Sequence, residues 1–70
     1  HNLYYLYLAY EALPEEEYQK RPFNHVRIQY KNQIKLGETV KCKYTFENDK
    51  HIVTVKSEDD KITHAIIQMS

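Results

Sequence analysis

The sequence predicts an α+β fold in which one apolar helix is wrapped by a sheet of four antiparallel strands, and three observations predict it. The stretch from Leu3 to Leu13, LYYLYLAYEAL, is apolar or aromatic at every position except Glu11. After Phe23 the apolar residues alternate with polar ones, the period of a half-buried strand. Turn-forming words, Leu36-Gly37, ENDK at 47–50 and SEDDK at 57–61, separate the alternating stretches. An apolar helix and a one-sided sheet both need a cover, and each is the cover the other lacks.

The helix is expected over about residues 2–13. Leu3, Leu6, Tyr7, Tyr10 and Leu13 fall on one stripe at three-and-four spacing, and Tyr4, Tyr5, Leu8, Ala9 and Ala12 fill most of the remaining circumference. The high strand propensity of Tyr argues for an extended segment, but the length, the Leu and Ala content and the stop at Pro14 favour helix. Such a rod is far shorter than the roughly 20 residues that cross a bilayer, so protein is expected around it and no membrane span is predicted. Each leucine it buries is worth about 1.5–3 kcal/mol. Asn2 is placed to cap its first turn. Pro14 followed by three glutamates suits the start of a second helical turn through Tyr18, with proline at its first position and carboxylates at the positive end of the dipole, and Pro22 ends it.

Four strands follow, over about 23–34, 39–46, 51–56 and 62–69. Val26, Ile28 and Tyr30 share one face of the first, and Val40, Cys42, Tyr44 and Phe46 one face of the second. Asn48 and Asp49 suit a tight hairpin because they tolerate left-handed backbone. Val53 and Val55 mark the inner face of the third strand. The fourth is apolar on both sides near Ala65, Ile66 and Ile67, which places it centrally or under a partner.

Seventy residues make one small domain, 1–70, near the lower limit for folding alone. Cys42 has no second cysteine to pair with, and the four histidines, at 1, 25, 51 and 64, lack metal-ligand spacing, so neither a disulfide nor a metal is expected to help. Association with a second domain or a second copy is the remaining route. The chain begins with His and shows no basic, apolar, small-residue leader, so it reads as a piece of a longer product in the cytoplasm.

Formal charge is zero, yet the cations Lys20, Arg21, Arg27, Lys31, Lys35, Lys41 and Lys43 form a block broken only by Glu38, with acidic runs on either side. Arg27, Lys31, Lys35, Lys41 and Lys43 are expected to form a basic strip across two neighbouring strands on the face away from the helix. It is either a solvated face guarded against edge pairing or a docking strip for an acidic partner. Nucleic acid is not expected, because Tyr30 and Tyr44 lie on the opposite face and leave no stacking platform beside the charges. Cys42 reads as a small buried hydrophobe. His25 and His51 read as outward-facing spectators, and His64, on an apolar strand, as a histidine satisfied at an interface.

The words HNLYYLYLAYEALPEEEY and VRIQYKNQIKLGETVKCKY, in that order, resemble the C-terminal hot-dog domain of bacterial acyl-acyl carrier protein thioesterases. In that family an HVNN or HMHN segment leads into an aromatic helix ending in LP. A strand with an xYKKxxxxGDxV-like pattern follows, matched here by Gln29, Tyr30, Lys31, Gly37, Glu38 and Val40. The resemblance covers nearly the whole chain. It implies a hot-dog fold and hydrolysis of the thioester joining a fatty acyl chain to acyl carrier protein, with no cofactor and with two hot-dog domains as the working unit. The basic strip would then dock the acidic carrier protein.

The departures from the family fall on the chemistry. Relatives carry an Asp-x-Asn-x-His segment just before the helix, of which His1 and Asn2 match only the last two letters of HMHN. The first strand and the main acid-base residues would therefore lie upstream. A Glu and a Cys that follow YK in plant relatives are replaced by Gln33 and Ile34, so neither role carries over. A thioesterase needs donors for the carbonyl and a base for water. Asn2 and the helix-start amides can supply donors, His1 is the one candidate base here, and Gln33 is a candidate substrate hydrogen-bonding group. The expectation is a parent thioesterase of which this piece is inactive by itself; the alternatives are a non-catalytic acyl-binding or dimerising hot-dog module and an acyl-CoA thioesterase.

Overall fold

A computed structural model describes residues 2–20 and 23–70, apart from the side chains of Asn2 and Leu3. Helix α1 spans Asn2–Ala12 and a single turn, α2, spans Glu15–Tyr18. Four strands follow: β1 (Val26–Tyr30), β2 (Val40–Glu47), β3 (Lys50–Ser57) and β4 (Thr63–Met69). All neighbouring pairs are antiparallel, and the order across the sheet is β1-β4-β3-β2. The α+β class and the four-stranded antiparallel sheet agree with the expectation from sequence.

α1 ends where Pro14 denies it a further amide. Pro14 caps α2 rather than occupying its first position: it is extended at ψ 150°, and its carbonyl accepts from Glu17 and Tyr18 at 3.0 and 2.9 Å. The expected stop at Pro22 lies outside the described residues.

The buried line of α1 is Tyr5 and Ala9, continued by Leu13 just past its end, one residue every four, rather than the stripe through Leu6, Tyr7 and Tyr10. Ala9, wholly buried, lets the helix backbone come close to the sheet, while Tyr4 and Tyr7 remain 48% and 60% exposed. Tyrosine tolerates that position because its ring is apolar and its hydroxyl is wet. The helix therefore lies on one face of an open sheet, against β2, β3 and β4, rather than being wrapped by it as the sequence suggested. Val53, Val55, Ala65, Ile67 and Met69 complete the core from the two middle strands.

The hairpin from β2 to β3 turns through Asn48 and Asp49, both with positive φ (52° and 61°), between the paired residues Glu47 and Lys50. This is the mirror-image turn whose twist suits a two-residue hairpin. β1 is shorter than expected, ending at Tyr30 instead of running on to 34. The amides of Lys31 and Asn32 both turn onto the carbonyl of His64, at 2.8 and 3.2 Å, and the chain leaves the sheet there. Residues 31–39 then cross the end of the sheet, because β1 and β2 form its opposite edges. A meander of hairpins would have left β4 at an edge with both apolar sides open. Pairing β1 with β4 puts that strand inside.

Candidate functional site

The crossover loop and the first turn of α1 meet at one end of the molecule. Lys35–Glu38 is a tight turn in which the Glu38 amide donates to the Lys35 carbonyl at 3.0 Å and Gly37 takes φ +80°. That conformation strains any side chain, so Gly37 belongs there even though a Cβ would meet nothing within 4 Å. The turn aims Glu38 back at the sheet. One carboxylate oxygen, Oε1, accepts from the Lys35 amide at 3.0 Å, and the other, Oε2, lies 2.7 Å from Nε2 of His64. These contacts, the Lys35 amide foremost and then His64, hold the Glu38 carboxyl below the usual carboxylate range.

His64 reaches this position through a β-bulge. Val55 pairs with Ala65 while Lys56 pairs with Thr63, so His64 is the extra residue on β4. Its ring is 2% exposed, and Nδ1 lies 3.0 Å from the carbonyl oxygen of Asn32. Asn32 adds a side-chain bond to the Thr63 carbonyl at 2.8 Å.

Two clefts open beside this pair, of ≈ 580 and ≈ 480 Å³. Gln33, Lys35, Leu36, Gly37 and Glu38 wall both; His64 and Ile62 complete the first, Tyr4 and Tyr5 the second. Gln33 is exposed and lines both clefts. Tyr30 continues this aromatic wall, its ring edge-on to Tyr5 at 5.1 Å. Burial chiefly, with the Tyr30, Tyr4 and Glu38 charges, pushes the Tyr5 phenol up. The site therefore has an apolar wall, an amide, an exposed lysine and an anchored carboxylate. Both Glu38 oxygens are engaged as acceptors.

Of the other residues singled out in the sequence, His1 lies outside the described residues and Asn2 is the first described residue of α1, its side chain also outside. The basic strip is not formed as expected. Arg27 on β1 and Lys41 and Lys43 on β2 lie at opposite edges, with β4 and β3 between them. Lys41 and Lys43 instead converge on Asp60 at 2.6 and 3.1 Å. Lys31 and Lys35 are exposed on the crossover.

His25 is exposed on its side chain, but His51 is not an outward spectator. It is 7% exposed and shares the inner face with Val53 and Val55, as the alternation 51, 53, 55 requires. Its Nδ1 lies 2.8 Å from the Tyr44 hydroxyl, its Nε2 3.5 Å from Glu17, and its ring packs among Phe23, Tyr44 and Phe46. Cys42 is half-buried beside Val40 and Tyr44, and burial pushes its thiol up, which argues against a thiolate nucleophile.

The Glu38–His64 pair escaped the sequence reading because the two residues are far apart in the chain. The available signal was a histidine on an apolar strand, which demands a buried partner without saying which. Among the described residues no group of three or more His, Cys, Asp or Glu is placed to hold a metal ion, and no helix is long and apolar enough to cross a membrane. No protein-family model, curated protein or solved structure matches the chain.

Proposed function

We propose that this chain is most of a hot-dog domain from a fatty acyl-acyl carrier protein thioesterase, a cytoplasmic enzyme releasing free fatty acid, and that it contributes the helix and one wall of the acyl groove. The observation that carries this reading is the cleft shared by Tyr4 and Tyr5 of α1 with Gln33 of the crossover loop. It pairs an apolar wall with a single amide, the complement of an acyl chain ending in a thioester. The word resemblance points to the same class.

In this reading a preceding strand and a second hot-dog domain or second copy cover Tyr4 and Tyr7 and complete the wrapping of the helix. The acid-base residues come from the Asp-x-Asn-x-His segment upstream, with Asn2 and the helix-start amides as donors. Carrier protein docks by charge on Arg27, Lys31 and Lys35, since Lys41 and Lys43 are engaged elsewhere. The test is release of free carrier-protein thiol from palmitoyl or oleoyl carrier protein, with coenzyme A thioesters run in parallel. The isolated chain should turn over little or nothing, and a version extended upstream through Asp-x-Asn-x-His should hydrolyse the carrier-protein ester. Turnover by the isolated chain comparable with an intact enzyme overturns the assignment of roles, as does an upstream coding sequence lacking that segment.

A second reading, a non-catalytic hot-dog module that associates through its edges, is favoured by β1. Among the described residues that strand pairs only with β4, and Val26 and Tyr30 are 42% and 52% exposed on it. Light scattering separates the two: a stable monomer at high concentration counts against the module.

A further inference from the structure

The end of the sheet opposite the crossover carries a separate cleft of ≈ 410 Å³. Its polar walls are Arg27 of β1, Asn24 and His25 just before that strand, Lys50 of β3, Gln68 of β4 and Ser70 just after it. Strand alternation places the charged residues on the face away from the helix. Val26, Ile28 and Tyr30 share the inner side of β1, where Tyr30 meets Tyr5 of α1, so Arg27 belongs to the other side. His51, Val53 and Val55 are the buried residues of β3, so Lys50 lies on the outer side as well. His25 shares the face of Arg27, because its amide and carbonyl exchange 2.9 Å bonds with Ser70 that continue the β1–β4 ladder past Val26.

Arg27 pairs with Gln68, Gln68 pairs with Ile52, and Lys50 lies two residues along β3 from Ile52. β1 and β3 are two strand spacings apart, about 10 Å, with β4 between them. Arg27 and Lys50 therefore stand on either side of Gln68 and Ser70. No Asp or Glu lines the cleft, and Glu47, which pairs with Lys50 across the hairpin, is not among its walls. Lys41 and Lys43 share Asp60, whereas among the described residues neither Arg27 nor Lys50 forms an ion pair. Two cations that share a cleft without a counter-charge repel, and an anion seated between them removes the repulsion. The guanidinium offers a planar fork and the ammonium a compact charge, with amide, hydroxyl and imidazole donors beside them. Two fixed positive charges match a doubly charged tetrahedral oxyanion, whereas a carboxylate leaves one of them unanswered.

We propose that this cleft binds a phosphoryl group, as free phosphate or as a phosphate monoester, held between Arg27 and Lys50 with Asn24, His25 and Gln68 as further donors. Arg27 is also one of the charges assigned to carrier-protein docking, but the cleft needs neither Lys31 nor Lys35, and phosphate binding is measured with no carrier protein present. The two readings therefore fail separately.

The test is a titration of the full chain with inorganic phosphate, phenyl phosphate and acetate, followed by amide chemical shifts at constant ionic strength and about pH 8, where the phosphates are dianions. Both phosphates should give saturating shifts at residues 24–27, 50 and 68–70, with acetate binding on the order of tenfold more weakly. Tighter binding of inorganic phosphate marks a site for the free ion, and tighter binding of phenyl phosphate a site for an ester. The same chain amidated at Ser70, which takes the terminal carboxylate out of competition, should bind both more tightly. Arg27→Gln and Lys50→Gln should each weaken phosphate on the order of tenfold, the loss of one charge-assisted hydrogen bond, while Lys61→Gln, at the other end of the sheet, should leave it unchanged. Shifts that do not saturate in either form of the chain overturn the proposal, as do equal shifts around Lys31, Lys35 and Lys61. Acetate binding as tightly as phosphate overturns it too, and so does unchanged binding in Arg27→Gln and Lys50→Gln. The shift map of the unaltered chain decides even if a variant does not fold.

Discussion

His51 and His64 sit on adjacent strands of one sheet, both buried, and differ in what faces their ring nitrogens. His51 meets the Tyr44 hydroxyl, which can donate or accept, and burial pushes the Tyr44 phenol up so that it keeps its proton. Three aromatic rings with centroids 4.9–6.0 Å away pack its imidazole. His64 meets a carbonyl and a carboxylate, neither of which has a proton to offer at neutral pH. The two buried rings therefore differ in their polar partners: His51 has a hydroxyl at Nδ1 and the Glu17 carboxylate 3.5 Å from Nε2, whereas His64 lies between a carbonyl and a carboxylate. The chemistry of the partner, more than the depth of the ring, decides which hydrogen bonds a buried histidine can make.

The largest effect should come from the core the two sites share. Ile67 is wholly buried and pairs with Val53 on β3 and Ile28 on β1. Ile67→Ala should cost about 2–5 kcal/mol in urea unfolding and loosen both histidines together. A loss confined to one imidazole in the nitrogen spectra would show that the sites do not share a core.

Tyr44→Phe touches one site only. It removes the partner of His51 Nδ1 and should cost about 1–3 kcal/mol, the penalty of a buried polar group left unpaired, with the His64 signals unmoved. The smallest effect belongs to Asp60, whose bonds to Lys41 first and Lys43 second hold its carboxyl below the ordinary value. With the folded value depressed, its stabilisation is present above the unfolded value of about 3.8 and is lost as pH falls through the lower folded one. Asp60→Asn should be slightly less stable at neutral pH, indistinguishable from the unaltered chain in strong acid or about 1 M salt, and silent at both histidines. Urea midpoints across pH and salt check this.

Much of the fold could be read locally, because it rests on local rules. The end of α1 follows from Pro14, the hairpin from Asn48 and Asp49, and the tight turn from Gly37. The burial of His51 was legible too: it alternates with Val53 and Val55, and taking it as an outward residue missed a pattern already present. The basic strip failed for another reason. It assumed that β1 and β2, consecutive in sequence, are neighbours in space, whereas they are the two edges.

What the sequence determined by itself is the class, the presence of a helix and four strands, and the inward alternation of Val53 and Val55, since periodicity and turn stereochemistry act within a few residues. Only the tertiary structure decided that β1 pairs with β4, that the 31–39 crossover closes over one end of the sheet, and that Glu38 meets a bulged His64. Those outcomes depend on pairing residues far apart in the chain, where a strand apolar on both sides is stable only between two others and a buried imidazole only opposite a partner that another segment brings.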